Sequence, residues 1–376
     1  MEHSVKGLEH TDKKLNIVVL GLSITSSWGN GHATTYRSLL KALAARGHLI
    51  TFFERDVPWY ANSRDMPVPP FCKTYLYNSL KELQDTYLET VRLADVVMVG
   101  SYVPQGVEVG AWFCKNAKGI KAFYDIDTPV TLAKLAQNDF EYIHPRLIPL
   151  YDLYLSFSGG PSLDVLEQDY QSPMAKALYC SVDPEKYFPE DVPVCYDLGY
   201  LGTYSADRQP PLNNLMLEAA RMWNSGRFVV AGAQYPAVVH WPANLEYISH
   251  IPPAEHRKFY CSQRCTLNIT RADMIRAGYS PSVRLFEAAA CGVPIISDYW
   301  PGLDEFFESN KEILISHGPE QTLQYLKDNN SDMLHEIGLR ARDKVLSAHT
   351  AAHRALEFEA YCDQVKQLQK GSKMHA

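Results

Sequence analysis

The sequence predicts an α/β protein of two domains, each a doubly wound parallel sheet covered by helices. The chain has 376 residues, which exceeds one ordinary hydrophobic core and suits two domains of roughly 150–200 residues. Short apolar runs alternate with helical patterns in both halves of the chain, and strands that alternate with helices form parallel sheets. Between Cys180 and Pro189 this alternation is interrupted by two prolines and several charges, which indicates an interdomain linker.

The first half begins with a β-α-β unit. Residues 15–20 form a short apolar run that ends at Gly21, as a buried parallel strand does. The following helix has an apolar stripe at i, i+3, i+4 and i+7, formed by Tyr36, Leu39, Leu40 and Leu43. Gly47 ends this helix, and residues 49–53 form the next strand. Further strands are predicted at residues 96–100, 122–125 and 153–156, and the last of these closes the half.

The second half repeats the alternation. Its strands are predicted at residues 198–201, 228–231, 245–248, 266–269 and 294–297, and one long helical stretch follows at about residues 333–369. We expect a flexible N-terminus at residues 1–14, a first domain at 15–179, a linker at 180–190, a second domain at 191–345 and a terminal helix at 346–376. Ligands bind at the carboxyl ends of the strands in such sheets, so two facing domains of this kind predict an interdomain cleft.

The composition argues against several classes of protein. The net charge of −7 argues against non-specific binding of nucleic acid through a basic surface. Residues 1–14 lack the apolar run of a signal peptide, and no stretch approaches the roughly 18 apolar residues of a membrane span. The eight cysteines show no disulfide framework, which is expected of a cytoplasmic protein. The close pair Cys261 and Cys265 has no partner pair at zinc-type spacing.

The segment at residues 278–298 carries most of the chemical information. A polar loop with Ser282 and Arg284 precedes a short alanine-rich helix, which ends at Gly292 before an apolar strand. The N-terminus of a helix presents unpaired N–H groups and partial positive charge, which suit a pyrophosphate. Glu287 lies in the first turns of this helix, where its carboxylate can accept both hydroxyls of a ribose. The alternative is that Glu287 only caps or charges the first turn.

This segment resembles the donor-site signature of GT-B glycosyltransferases, in which a Glu-x7-Glu motif is followed by Ala-x-Ala-Cys-Gly-x-Pro-Val-Ile. The run from Arg284 to Gly292, with Ser297-Asp298 and residues 302–307 beyond it, more closely resembles the CgeB-type, spore-maturation-protein-like group of these enzymes. Residues 182–189 resemble the segment that joins the two domains in that superfamily, and Arg46-Gly-His48 resembles a turn of its N-terminal domains. The resemblance covers nearly the whole chain.

The resemblance implies a GT-B fold of two Rossmann-like domains. It also implies the transfer of a hexosyl or pentosyl group from a nucleotide-diphosphate sugar to an acceptor hydroxyl. A UDP- or dTDP-linked sugar is expected as co-substrate, with no other cofactor and no metal ion. The acceptor is open among a small molecule, a glycan, a protein and a modified nucleobase, and the oligomeric state is open too. In this superfamily the C-terminal helix crosses back onto the first domain, which we expect of residues 346–376.

Carried over by position, the resemblance implies that Glu287 holds the ribose of the donor. The residues beside the diphosphate are then Ser282, Val283 and Arg284. Tyr279 stands where retaining enzymes with the Glu-x7-Glu motif carry their first glutamate. This departure removes a sugar-contacting carboxylate of that class, and it leaves both the retaining and the inverting outcome open.

A loop that begins Gly202-Thr203 follows the first strand of the second half, where the superfamily places a phosphate-approaching loop. Arg208 is the candidate for the cation of this loop, because a diphosphate leaving group gains negative charge as the bond breaks. The alternative is a solvated surface arginine. His250 and Ile251 lie where the family contacts the nucleobase, largely through the backbone.

The first half is expected to supply the acceptor site and the general base. In the loop at residues 28–33, two glycines, Gly29 and Gly31, let the backbone approach a sugar or phosphate closely. His32 follows, and it resembles the histidine at which the glycine-rich loop ends in some inverting GT-B enzymes. A histidine titrates near neutral pH and can take a proton from an acceptor hydroxyl. The alternative is a capping or substrate-orienting role.

Asp127 is the second candidate base, in a segment that follows the strand predicted at residues 122–125. Asp125 and Asp127 resemble the metal-binding Asp-x-Asp motif of a different transferase fold. Because GT-B enzymes generally need no metal, we interpret this match as coincidental and expect Asp125 to be structural. His349 and His353 are spaced to share a helix face, yet no third metal ligand is evident, and we expect them to pack.

Two other functions fit this architecture. A nucleotide-sugar 2-epimerase shares the fold, but it needs further carboxylates around the sugar, and the sequence shows no such set. A non-catalytic protein that kept the fold would bind nucleotide sugars without turnover.

Overall fold

The computed structural model of the protein describes residues 14–28 and 31–374. The chain divides into two compact units. The first unit consists of Met1–Tyr179 and Ala351–Ala376, and the second unit is Cys180–Thr350. Residues 1–13, which contain most of the predicted flexible N-terminus, lie outside the described residues.

The sheet of the first unit has seven strands within the described ranges, and all of its neighbouring pairs are parallel. The strands are β1 (Asn16–Gly21), β2 (Leu49–Arg55), β3 (Lys73–Tyr77), β4 (Val96–Gly100), β5 (Ile120–Asp125), β6 (Leu153–Ser156) and β7 (Ala175–Ala177). Their spatial order is β3-β2-β1-β4-β5-β6-β7, so the order reverses between β1 and β4. The prediction that β6 closes this half is wrong, because β7 pairs with it.

The helices of this unit that precede the second unit in the chain are α1 (His32–Ala45), α2 (Pro58–Ala61), α3 (Leu80–Arg92), α4 (Gly106–Asn116), α5 (Thr128–Ala136) and α6 (Pro161–Gln168). The predicted apolar stripe of α1 is buried. After α1 the chain turns at Gly47, whose φ of +91° is a left-handed conformation that favours glycine. α3 begins after Ser79, because the Ser79 hydroxyl accepts the N–H of Glu82 at 3.1 Å and caps the helix.

The sheet of the second unit has six strands in the part of the chain that the structure describes, and again every neighbouring pair is parallel. The strands are β8 (Tyr196–Leu201), β9 (Phe228–Ala231), β10 (Leu245–Ile248), β11 (Gln263–Asn268), β12 (Ile295–Ser297) and β13 (Leu314–Ile315). Their order is β10-β9-β8-β11-β12-β13. The prediction of two α/β domains with parallel sheets is confirmed.

The helices of the second unit are α7 (Gln209–Leu212), α8 (Glu218–Met222), α9 (His256–Cys261), α10 (Ala272–Ala277), α11 (Val283–Ala290), α12 (Pro319–Asp328) and α13 (Ser331–Ala348). A π-helical turn at Asn213–Leu217 joins α7 to α8. None of the helices in the described ranges has the length and the apolar character needed to cross a membrane.

The central strands are buried along their whole length because helices cover both faces of each sheet. Every residue of β4 and of β9 is buried. Aromatic side chains form much of the core of the first unit, where the Phe123 ring lies 5.4 Å from the Tyr151 ring and 5.2 Å from the Tyr154 ring, measured between centroids. At the edge strand β3, by contrast, only the last residue is buried.

The last helix, α14 (Ala351–Met374), belongs to the first unit and packs against α1. Its Glu359 accepts hydrogen bonds from Arg46 Nε at 2.5 Å and Nη2 at 2.7 Å, and it lies 2.7 Å from His48 Nε2. The other ring nitrogen of His48, Nδ1, accepts the backbone N–H of Leu15 at 3.0 Å. The Arg46-Gly-His48 turn therefore joins the last helix of the chain to the start of β1.

The prediction of one long terminal helix is wrong, because a break at His349-Thr350 separates α13 from α14. At the break, Val182 pairs with Thr350 and donates its N–H to His349 O at 3.1 Å. His349 and His353 therefore do not lie on one continuous helix. The His349 ring stacks on the Phe286 ring, with centroids 4.9 Å apart, so His349 has the packing role that we expected.

Replacement of Glu359 by glutamine is expected to lower the free energy of unfolding by about 1–3 kcal/mol, because the Arg46 guanidinium and the His48 ring lose a buried carboxylate as hydrogen-bond partner. Burial alone would raise the pKa of Glu359, but the hydrogen bonds from Arg46 and His48 outweigh it and hold the pKa below 4.5. The contribution is therefore present above about pH 4.5 and is lost as the pH falls through the folded-state pKa.

Urea unfolding of the wild type and of Glu359→Gln at about pH 7 and about pH 3.5 measures this difference. The control is Glu336→Gln, because Glu336 forms an exposed pair with Arg340 on α13, where a loss below about 0.5 kcal/mol is expected. Equal stability of the wild type and Glu359→Gln at neutral pH would contradict the proposed role of this contact.

Candidate functional site

The residues predicted for the donor site gather at the carboxyl ends of β8 and β11 in the second unit. These two strands are neighbours, and the strand order reverses between them, which is where doubly wound sheets bind ligands. Gly202 and Thr203 follow β8 directly, and Arg208 is the residue before α7. Arg284 lies in the first turn of α11, so three separate elements contribute to this edge.

The Arg284 guanidinium joins these elements. Its Nε donates to Leu201 O at 2.5 Å, and its Nη1 donates to Asn268 Oδ1 at 2.9 Å and to Ile269 O at 3.4 Å. Leu201 ends β8 and Asn268 ends β11, so this buried side chain fastens the ends of both strands to α11. The guanidinium also lies 5.0 Å from the centroid of the Tyr200 ring, which adds a cation–π contact.

Arg208 brings a second guanidinium to the same edge. Its Nη2 donates to Thr203 O at 2.6 Å, while its Nε is buried and has no hydrogen-bond partner among the described residues. Burial lowers the pKa of Arg208, and of the neighbouring groups Tyr200 raises it while Arg284 and Arg271 lower it. Arg284 and Arg271 therefore both lie close enough to Arg208 to repel its charge, and a diphosphate is an anion that would relieve this repulsion. Arg208 is half-buried, so it is not fully solvated.

Two glycines bring the loops after β8 and β9 into contact. A Cβ on Gly232 would lie 1.9 Å from Gly202 O, and Gly202 N donates to Ala231 O at 2.8 Å. A Cβ on Gly202 would lie 2.6 Å from the Tyr200 hydroxyl and 3.1 Å from Arg284 Nη2. That hydroxyl is buried and has no hydrogen-bond partner in the described part of the chain. The glycines therefore keep side chains out of the space beside Arg284.

The N-terminus of α11 adds partial positive charge at this edge. Ser282 precedes the helix, but its hydroxyl donates to Asn268 Oδ1 at 2.8 Å and does not cap the helix. Val283 is the first helical residue, and the N-cap residue Ser282 provides no side-chain acceptor for the N–H groups of the first turn. The predicted diphosphate residues therefore lie together with uncapped helix donors.

Glu287 lies one turn into α11, and only 5% of its surface is exposed. Its Oε2 accepts the Tyr260 hydroxyl at 3.1 Å. The Tyr187 hydroxyl also bonds to this carboxylate, and burial followed by the charge of Glu287 raises the pKa of Tyr187. The first turn of α11 has no acidic residue, so Glu287 does not cap the helix. Two phenols instead hold its carboxylate in a fixed position, as a ligand for ribose hydroxyls requires.

Tyr279 has a backbone φ of +48°, which is uncommon for any residue other than glycine. Its N–H donates to Pro301 O at 2.7 Å. Its ring packs on Gly302, where a Cβ would lie 2.5 Å from the ring. These contacts hold the loop before α11 against the loop after β12, and strained residues of this kind are often found at functional sites.

His250 and Ile251 follow β10, at the same carboxyl edge of the sheet. His250 is exposed and Ile251 is half-buried. His256 Nε2 lies 3.2 Å from Ile251 O, which fixes the backbone of this loop. Their contact with a nucleobase stays a prediction.

The two candidate bases follow the carboxyl ends of β1 and β5 in the first unit, and β4 lies between these two strands. Gly31 precedes α1 and His32 opens it, while Gly29 lies outside the described residues. Asp127 follows β5 and precedes α5. Tyr102, which follows β4, joins the two: its ring meets the His32 ring edge-on with centroids 5.4 Å apart, and its hydroxyl donates to Asp127 Oδ2 at 3.1 Å.

Sequence reasoning did not single out Tyr102. It lies in the loop just after a predicted strand, which is the kind of position that singled out Asp127. Its backbone φ of +60° places the residue in the left-handed region, where residues other than glycine are uncommon. The signal was therefore present in the position of the residue, directly behind an apolar strand.

His32 is neutral at pH 7. Burial lowers the pKa of His32 from 6.5 to about 4, and its Nδ1 is buried with no hydrogen-bond partner among the described residues. A neutral imidazole can accept a proton from an acceptor hydroxyl, although a base with this pKa is weaker than an ordinary histidine. The ring is thus in the protonation state that a general base requires.

Asp125 is structural. It is fully buried, and its carboxylate accepts Thr131 Oγ1 at 2.8 Å, the Tyr154 hydroxyl at 2.6 Å and the N–H of Asp127 at 3.2 Å. Burial raises the pKa of Asp125 to about 6 although these hydrogen bonds act to lower it. Its three donors and its full burial fit the structural role that we expected of Asp125. Across residues 14–28 and 31–374, no three His, Cys, Asp or Glu side chains are grouped as a metal site.

Comparisons with known proteins place the chain among glycosyltransferase-like folds. Residues 208–360 match a family model described as glycosyl transferase-like. No curated protein matches the chain. Sucrose-phosphate synthase from Thermosynechococcus elongatus shares 13% identity, with 96% of this chain and 100% of that chain covered and a TM-score of 0.66.

Two further solved structures are similar. HepE from Anabaena in complex with UDP and glucose shares 10% identity, with 93% of this chain and 100% of that chain covered and a TM-score of 0.70. An alpha-glucosyltransferase in complex with UDP-glucose and DNA containing an abasic site shares 12% identity, with 94% and 100% covered and a TM-score of 0.71. At these identities the likeness establishes the fold, so this chain has the GT-B fold of two Rossmann-like domains.

The wild type is expected to lose stability relative to His32→Gln as the pH falls below about 6.5. The unfolded chain binds a proton at His32 near pH 6.5, whereas the folded chain binds it only near pH 4. Because the folded-state pKa is depressed, the contribution of His32 is present above pH 6.5 and is lost on acidification. The relative loss at about pH 4 is on the order of 1–3 kcal/mol.

Urea unfolding of both proteins at about pH 7.5, 5.5 and 4.5 measures this loss. His250→Gln is the matched control, because His250 is exposed. If the stability difference between the wild type and His32→Gln does not change with pH, His32 is not buried in its neutral form.

Proposed function

We propose that this chain is a glycosyltransferase of the CgeB-type group that moves a sugar from a UDP- or dTDP-sugar to an acceptor hydroxyl. The observation that carries the proposal is the pair of Arg208 and Arg284 guanidiniums at the carboxyl ends of β8 and β11, beside the uncapped N-terminus of α11. HepE and the alpha-glucosyltransferase, which share the fold, are complexes with UDP or UDP-glucose. The family resemblance of residues 278–298 supports the same donor.

The two arginines have a chemical task in this reaction. The bond between the anomeric carbon and the diphosphate oxygen breaks, and its electron pair stays on that oxygen. Arg208 and Arg284 would stabilise the charge that develops on this oxygen, and positioned donors of this kind contribute roughly 3–4 kcal/mol each. Because hydrogen bonds to the backbone hold both guanidiniums in place, little reorganisation is needed as the charge forms.

The first unit would supply the acceptor side of the reaction. The acceptor oxygen bonds to the anomeric carbon, and its proton passes to a base. His32 and Asp127, which Tyr102 joins, are the proposed proton acceptors. His32 is available for this role because it is neutral at pH 7, with a pKa of about 4.

Replacement of Arg208 by methionine is expected to raise the Kd of UDP about 10- to 100-fold, because one charge-assisted hydrogen bond contributes roughly 1.5–3 kcal/mol. Arg208→Lys should fall between the wild type and methionine, since it keeps the charge without the planar fork. Isothermal titration calorimetry with UDP measures these constants. Arg221→Met is the matched control, because Arg221 pairs with Glu218 at the surface of α8.

Nucleotide release from UDP-, dTDP- and GDP-linked sugars tests the reaction itself. The enzyme proposal fails if no nucleotide in this panel stabilises the protein and none is released with any acceptor. Binding of a UDP-sugar without release of UDP would instead favour the non-catalytic alternative. If Arg208→Met binds UDP as tightly as the wild type does, Arg208 does not contact the diphosphate, and the proposed donor site loses its main support.

Replacement of Glu287 by alanine is expected to raise the Kd of UDP about tenfold or more, because the ribose hydroxyls lose a charged acceptor. A sharper measurement compares UDP with 2′-deoxy-UDP. The wild type should prefer UDP, whereas Glu287→Ala should bind the two nucleotides with nearly equal affinity.

Tyr260→Phe is the control for this comparison, because it removes a hydrogen bond to the carboxylate and keeps the carboxylate itself. It should retain the preference for UDP. A preference that survives in Glu287→Ala would show that the ribose lies elsewhere, even if the transferase proposal holds.

A further inference from the structure

Two exposed tryptophans lie at one edge of the sheet of the first unit. The chain has six tryptophans, and only Trp28 and Trp59 are more than half exposed, at 58% and 56%. Trp28 lies in the loop after β1, and Trp59 lies in α2, which follows β2. β1 and β2 are adjacent and parallel, so both indoles are at the carboxyl edge at which α1 begins with His32.

The segments that carry these indoles are fixed to each other. Glu54, near the end of β2, accepts the N–H of Ile24 at 2.6 Å, the N–H of Thr25 at 2.9 Å and the hydroxyl of Thr25 at 2.6 Å. The Ser26 hydroxyl donates to Ser63 O at 2.7 Å. The described part of this loop, residues 22–28, is therefore bound both to β2 and to the segment after α2, and the Trp28 N–H donates to the Ser26 hydroxyl at 3.3 Å.

Most charged groups of this region are paired within it; the exception is Arg55, which ends β2, donates to Gln105 Oε1 at 3.1 Å and is paired with no carboxylate among the described residues. Arg37 forms two hydrogen bonds of 2.8 Å to Asp65, which also accepts the N–H and the hydroxyl of Ser27 at 2.8 Å each. Arg64 pairs with Asp56 at 2.7 Å. Since Asp65 already accepts four hydrogen bonds, it has no capacity left for a ligand. This surface therefore suits a neutral ligand better than an ionic one.

A large apolar side chain left in water forgoes stabilisation, and two such side chains on segments that follow adjacent strands indicate a binding surface. We propose that Trp28 and Trp59 bind a neutral saccharide, and that the acceptor is a saccharide of at least two rings. A sugar ring offers a face of C–H groups to an indole, and it carries the hydroxyl that the transfer requires. The two indoles lie on separate segments, one after β1 and one in α2, so each can stack on one of two successive sugar rings. The role of this saccharide as the acceptor rests on the proposed function, whereas its binding does not.

Calorimetric titration of the full chain with maltose and with cellobiose tests the proposal. At least one of the two disaccharides should bind to the wild type. Trp28→Ala and Trp59→Ala should each raise its Kd about five- to tenfold, the scale of one aromatic contact. Leu93→Ala is the matched control, because Leu93 is 72% exposed in the same unit and precedes β4 at the opposite edge of the sheet. Its Kd should equal that of the wild type.

Three results would overturn the inference. The inference is wrong if neither disaccharide binds to the wild type. It is also wrong if the tryptophan variants bind a disaccharide as tightly as the wild type does, or if phenol binds in a tryptophan-dependent way while the disaccharides do not. Titration of the same proteins with UDP, dTDP and GDP separates this inference from the proposed function. If UDP binds to the wild type and no disaccharide does, only the saccharide inference fails. If none of UDP, dTDP and GDP binds to the wild type, the transferase proposal fails, and tryptophan-dependent saccharide binding would still stand.

Discussion

The buried guanidinium of Arg284 is the constraint on which the candidate donor site depends. Arg284 lies in the first turn of α11, and its side chain bonds to the ends of β8 and β11. This side chain therefore fixes the three elements to one another at the edge of the sheet. Its hydrogen-bond partners are carbonyl and amide oxygens, which carry no charge. A buried cation whose hydrogen-bond partners are neutral is costly, and the half-buried Arg208 adds a second guanidinium nearby. The same arrangement that reduces stability makes the edge a place where an anion binds well.

In the first unit, the buried charged groups at the ends of the strands are carboxylates instead of guanidiniums. Glu54 and Asp125 are fully buried carboxylates, and N–H and O–H donors of the surrounding loops satisfy them. Each lies at or next to the end of its strand, so each carboxylate organises the loop that carries a candidate functional residue. Asp125 organises the turn that presents Asp127, and Glu54 holds the loop that leads to His32. One unit thus gathers cations at its carboxyl edge, and the other fixes its loops with buried anions.

Most of the central strands follow from the sequence because strands covered on both faces are continuous apolar runs. The strands that were missed are those where this rule does not apply. β3 is an edge strand with exposed residues, whereas β7 and β13 contain only three and two residues. Their pairing depends on the neighbouring strand and not on their own composition. The break before α14 was missed for a similar reason, because it is made by Val182, a residue more than a hundred positions earlier in the chain.

The sequence by itself determined the two parallel-sheet domains and the helix that carries Arg284 and Glu287, since both depend on local patterns of apolar, small and turn residues. It also pointed to the loops after the strands, because polar residues stand directly behind apolar runs there. Only the tertiary structure decided that Arg208 and Arg284 lie together, that Glu287 is held between two tyrosines, and that Tyr102 joins His32 to Asp127. These contacts join residues that are distant in the chain. Burial and proximity are properties of the packed sheet, and no local pattern encodes them.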